Sequence, residues 1–159
     1  MNRRDEATVD LILSVFRLNG QLIDAGNHLV TDIGLTSAWW QVIGALDISP
    51  TPLPVAHIAR NMGLARQSVQ RIADLLAKKG LVRFEANPHH QRAKLVVLTP
   101  QGRAAAKSAE KRQRPWARNM TAGLSLERIS AALEVLTHMN KYLSQADMAA
   151  GEDFTEQEK

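Results

Sequence analysis

Two short amphipathic segments meet at Gly63, and behind them the hydrophobic period switches from helical to two-residue; no other stretch constrains this chain as much. Val55–Met62 reads as a short helix stopped by Gly63. A second helix runs from about Ala65 to Lys79, with Val69, Ile72, Ala73 and Leu76 on one face. Gly80 ends it. Leu81–Glu85 and Lys94–Leu98 then alternate like strands, with the loop Asn87-Pro88-His89-His90-Gln91-Arg92 between them. Ala59 must be small because the second helix crosses close over it. Gly63 supplies the positive φ of a tight turn. Ile58, Val69 and Ile72 fill the wedge between the two helices. This spacing predicts a winged helix-turn-helix, whose second helix enters the DNA major groove while the first lies across the backbone.

The charge distribution points the same way. Residues 51–115 carry 13 Lys and Arg against three acids, Asp74, Glu85 and Glu110, a net +10 in a chain whose total is +4. The rest of the chain is therefore −6. A basic middle between acidic ends suits a polyanion-binding module carried on other structure.

That other structure is helical. Leu11, Val15, Leu18, Leu22, Ala25 and Leu29 step by four and three, an apolar seam of period 3.5, with Ile12, Phe16 and Ile23 beside it. Thr36 is the expected N-cap of a further helix through about Leu46 that buries Trp40, Val42, Ile43 and Leu46. Ser49-Pro50-Thr51-Pro52 breaks the chain. Thr99-Pro100 opens a helix that should reach about Met120, bent or interrupted near Pro115. A last helix from about Ser125 carries Leu126, Ile129, Leu133, Leu136, Met139 and Leu143. The fold class expected is mainly α with a small two- or three-stranded antiparallel wing.

Specific residues carry a family resemblance. Leu35-Thr36, followed by Trp40-Gln41-Val42-Ile43, resembles the second helix of the MarR (multiple antibiotic resistance regulator) family of transcriptional regulators. Ile58-Ala59 through Leu81-Val82 resembles its helix-turn-helix. The family's wing pattern is Asp-x-Arg, five residues, Leu-Thr. Here Arg92, Leu98 and Thr99 match it, but His90 stands at the aspartate. Ala65 stands where the family usually has a serine capping the recognition helix. The resemblance covers about residues 8–145.

It implies an obligate homodimer with interlocked terminal helices: residues 1–34 plus 116–150 for dimerisation and 35–115 as the DNA-binding lobe. By its acidic, polar composition, 151–159 is expected to be a disordered tail. The resemblance implies double-stranded DNA as the partner, read by Arg66, Gln67, Ser68, Gln70 and Arg71 of the recognition helix and by His90, Arg92 and Lys94 of the wing. Arginine suits guanine edges or phosphates and glutamine suits adenine edges. It further implies a repressor released by a small aromatic or anionic effector, with Trp39 and His57 as candidate pocket residues. The alternative is a regulator of the same fold with no small-molecule effector.

Other functions find little support. No Gly-rich phosphate loop, nucleophile elbow or paired carboxylate set occurs, so an enzyme is not expected. Cysteine is absent and no two of the five histidines lie four apart on a helix, so neither a metal site nor a cofactor is expected. The longest aliphatic run, Leu95–Leu98, falls far short of the ~20 residues of a membrane helix. The start, with Arg3 and Arg4 and then Asp5, Glu6 and Asp10, is not that of a signal peptide. A cytoplasmic protein is expected.

Overall fold

A computed structural model describes residues 2–156, with side chains described through residue 145. The order is α1 (Arg3–Val30), a 3-10 turn (Thr31–Ile33), α2 (Ser37–Asp47), β1 (Leu53–Pro54), α3 (Val55–Met62) and α4 (Arg66–Lys78). It continues with β2 (Val82–Glu85), β3 (Leu95–Leu98), α5 (Pro100–Met120) and α6 (Leu126–Glu156). The fold is therefore mainly helical with a three-stranded antiparallel sheet in the order β1-β3-β2.

Local chemistry sets the boundaries. The Thr36 hydroxyl accepts the Trp39 N–H at 3.2 Å, and Asn27 of α1 accepts the Ser37 N–H at 2.7 Å, so two side chains cap α2. Gly63 takes φ 62°, and the Leu64 N–H returns to the Ala59 carbonyl at 3.0 Å, closing α3. Thr99 accepts the Gly102 N–H at 3.0 Å, as its place before Pro100 predicts. Its hydroxyl also donates to the Gly80 carbonyl at 2.6 Å.

β2 and β3 pair Val82 with Leu98 and Glu85 with Leu95. The third strand is β1, at the edge of the sheet. Leu53 and Pro54 follow the proline-rich break and pair with Val96 and Leu95. Proline is tolerated there because β1 is an edge strand.

The core forms where α2, α3, α4 and the sheet converge. Val42, Ile43, Ile58, Val69, Ala73, Leu76 and Val96 are fully buried in it. Trp40, expected to be buried, is half-buried and packs against this cluster. Of α1, only Gly26 and Val30 are buried.

α5 ends at Met120, as expected; the difference concerns its continuity. α5 continues through Pro115 to Met120 without interruption. Proline forfeits one backbone hydrogen bond, and the rest of a 21-residue helix outweighs it. α6 continues to Glu156, past Gly151, where an irregular acidic tail was expected; residues 157–159 lie outside the described residues. The chain forms two compact units, the first ending at Trp116 and the second beginning at Ala117.

Candidate nucleic-acid interface

α4 is built to show one face. Val69, Ala73 and Leu76 are fully buried and Ile72 half-buried, so at 100° per residue the remaining arc must face outward. That arc carries Arg66, Gln67, Gln70, Arg71 and Asp74, all exposed, with Ser68, also exposed, at its edge. At the start of the helix, Ala65 makes no side-chain cap. The first N–H groups of α4 are thus left to solvent or to an anion, at the positive end of the helix dipole.

The wing stands beside this face. Its loop is held by Asn87, whose side-chain oxygen accepts the His89 N–H at 3.0 Å. The Arg83 and Glu85 side chains pair on β2. His89, His90, Gln91, Arg92 and Lys94 are exposed.

A cleft of about 270 Å³ lies between the two elements. Arg66, Gln70 and Asp74 of α4 form one wall, Arg92 and Lys94 of the wing the other, and Val55, Ala56 and Phe84 are among its apolar lining. A shallower groove of about 580 Å³ runs along α4 between Arg66, Gln67, Gln70, Arg71 and Asp74. Of the eight residues the sequence singles out for DNA, four therefore share the cleft and two more share the groove. Ser68 and His90 line neither.

The electrostatics are one-sided. The ion pairs among the described residues are Arg83–Glu85, Arg112–Asp32 and Arg114–Glu110. Arg66, Arg71, Arg92 and Lys94 take part in none of them, so their charges are open to a polyanion. Asp74 is one of three acids in the basic segment. Its carboxylate faces the same cleft and accepts a hydrogen bond from Gln70 Nε2 at 3.0 Å. The signal for that pairing was the i,i+4 spacing of Gln70 and Asp74.

Two carboxyls elsewhere are held below their ordinary range. For Asp32, the main cause is the Arg112 guanidinium, with N···O distances of 3.1 and 2.5 Å. For Glu127, it is its own backbone N–H and then the Ser125 hydroxyl. Both belong to the scaffold, not to the cleft.

Trp39 is half-buried on α2, with the Lys79 ammonium 5.5 Å from its ring centre. His57 is exposed on α3. A cavity between the C-terminal ends of α2 and α3 is lined by Gln41, Ala45, Ile48, Ser49, Pro50, Asn61 and Met62. A second joins the end of α2 to β3. Neither candidate effector residue lines these two cavities. Among the described residues no group of three His, Cys, Asp or Glu could hold a metal, and no helix is long and apolar enough to cross a membrane.

A family model for the MarR family matches residues 33–93, the stretch that runs from α2 to the wing. An uncharacterised protein of Mycobacterium tuberculosis is 36% identical over 102 residues, covering 64% of this chain and 70% of that protein. A solved MarR-family regulator from Silicibacter pomeroyi is 27% identical with a TM-score of 0.67, over 77% of this chain and 82% of its own. The chain belongs to the MarR family. As a MarR-family member it is a DNA-binding transcriptional regulator, of a family that binds DNA rather than catalysing reactions.

More distant solved structures share the fold. CouR of Rhodococcus jostii RHA1, solved with p-coumaroyl-CoA, has a TM-score of 0.75 at 21% identity, over 82% of this chain and 92% of its own. The regulator MOSR of Mycobacterium tuberculosis, solved with DNA, has a TM-score of 0.69 at 23% identity, over 83% of this chain and 96% of its own.

Proposed function

We propose that this MarR-family regulator is a homodimeric repressor that binds a pseudo-palindromic operator and leaves it when a small aromatic or anionic effector binds. One observation carries the DNA reading: Arg66 and Gln70 of α4 and Arg92 and Lys94 of the wing face a common cleft with no ion-pair partners for the three cations. Arg66, Gln67, Ser68, Gln70 and Arg71 face the major groove. His90 and Arg92 sit over the minor groove, where an arginine responds to groove width, and Lys94 meets phosphate. Two-fold symmetry puts the half-sites about one helical turn apart.

The dimer reading rests on exposed apolar surface. Leu13, Phe16, Leu18 and Ile23 of α1 lie open, as do Leu126, Ile129, Leu133, Leu136 and Leu143 of α6. Exposed apolar side chains in this number on each helix suit an interaction surface. Residues 1–34 and 116–150 would supply the dimer, and 35–115 the DNA-binding lobe. The structure of CouR with p-coumaroyl-CoA is the support for an effector. A regulator without one is the second reading, favoured by Trp39 and His57 lining neither of the cavities that border α2.

The test is footprinting on the DNA flanking the chain's own coding region, repeated with a panel of phenolic acids and their coenzyme A thioesters. Protection of an inverted repeat, lost with one of these compounds, is the expected result. Protection that no compound disturbs favours the second reading, and no protected repeat overturns both.

A further inference from the structure

Asp74 is an anomaly in the surface that faces DNA. It is one of three acids among the 16 charged residues of 51–115. The other two, Glu85 and Glu110, are each neutralised by an arginine. Asp74 is not, although Arg66 and Arg71 lie on the same helix face and line the same groove. It sits towards the middle of the exposed arc of α4, at 80° where Gln70 is at 40° and Arg71 at 140° from Arg66. Its one recorded partner is the neutral amide of Gln70. A lone carboxylate among phosphate-binding residues opposes binding to DNA in general, so it needs a different explanation.

The hydrogen bond supplies one. A carboxylate can only accept, so the Gln70 atom facing Asp74 is its NH2 group, and the amide oxygen is left pointing away from it. A free glutamine offers adenine one donor and one acceptor together. A glutamine held in this way offers chiefly its acceptor, which selects a base-edge amino group, cytosine N4 or adenine N6. We propose that Asp74 is a specificity-determining positioning residue: it orients the Gln70 amide for base reading and, through its charge, weakens binding to unspecific DNA. This rests on the reading of α4 as the base-reading helix. A sequence reader gains from both effects, because its specificity is the ratio of operator to random-DNA affinity.

The experiment selects duplexes from a randomised pool with the full-length wild type, Asp74→Asn, Asp74→Ala, Gln70→Ala and the double variant Gln70→Ala/Asp74→Ala. Each protein is then titrated with the wild-type-selected duplex and a scrambled one at two salt concentrations. Asp74 is exposed, and circular dichroism with a thermal melt confirms that each variant is folded. Loss of one negative charge about 4 Å from phosphate should raise affinity for the scrambled duplex about fivefold. The ratio of selected to scrambled affinity should fall. Asp74→Ala and Gln70→Ala should relax the same base position in the selected consensus, and the double variant should relax it no further.

If Asp74→Asn leaves both the ratio and the consensus unchanged, the assignment is overturned while the DNA-binding reading stands. The same follows if Asp74→Ala and Gln70→Ala relax different positions. A wild type that enriches no consensus overturns the base-reading role of α4, and the assignment falls with it.

Discussion

At single residues the fold tolerates little at its closest approach. A Cβ on Gly102 would lie 1.9 Å from the Leu81 carbonyl oxygen, which belongs to backbone and cannot swing aside. Gly102→Ala should therefore destabilise by about 1–3 kcal/mol, the range of overpacked sites, and lower the melting temperature; an unchanged melt would show that α5 can shift freely off the wing. Ala65 works in the opposite sense. It leaves the start of α4 uncapped, so Ala65→Ser should stabilise by about 1 kcal/mol in denaturant unfolding. Both residues were open to sequence reading, but unequally. Ala65 departs from a pattern that can be seen in the letters. The demand on Gly102 is a contact between α5 and residue 81, and nothing local to Gly102 announces it.

Among the elements, the wing and the 3-10 turn each make a separable prediction. Arg92→Ala should cost about 1–3 kcal/mol of operator binding, and Lys94→Ala should weaken operator and random DNA alike while reducing the salt slope by about one. Anisotropy titrations at several salt concentrations check both; Arg92→Ala with wild-type affinity would remove the wing from the groove. The turn at Thr31–Ile33 is tied to α5 by Asp32 and Arg112. The folded state holds the Asp32 carboxyl below its ordinary value of 3.8, so this pair stabilises at and above that pH and loses its contribution as pH falls through the lower folded value. Acid unfolding curves of wild type and Asp32→Asn should therefore diverge above pH 3.8 and converge below it. Curves that run parallel throughout would assign the pair no role. Element order and most caps were legible because they are local: Thr36, Gly63, Gly80 and Thr99 act within a few residues. Strand β1 was not, because Leu53-Pro54 carries no pattern of its own and exists only by pairing with Val96 and Leu95. The same reasoning divides the site. The outward arc of α4 follows from its buried positions, whereas its sharing a cleft with Arg92 and Lys94 depends on how the wing folds back.

For the whole molecule, the decisive quantity is apolar surface without a partner. Phe16 is 70% exposed and Leu133 63%, and the proposed dimer would cover both. Sedimentation should give a dimer at micromolar concentration, and Leu133→Asp with Leu136→Asp should shift it to monomer or unfold it; a folded wild-type monomer would overturn the proposed assembly. A different consequence follows from Thr99 and its neighbours. Thr99 bonds to the Gly80 carbonyl behind α4, its own N–H meets the Leu81 carbonyl before β2 at 3.1 Å, and Arg103 returns to the Leu98 carbonyl at 2.8 Å. The end of α4, the sheet and the start of α5 are thereby fastened at one point. On the proposed DNA reading, α4 and the wing then act as a gauge of set span, like the jaws of a calliper. On that reading, lengthening the duplex by one base pair between the bases under α4 and the groove under Arg92 should cost one of the two contacts.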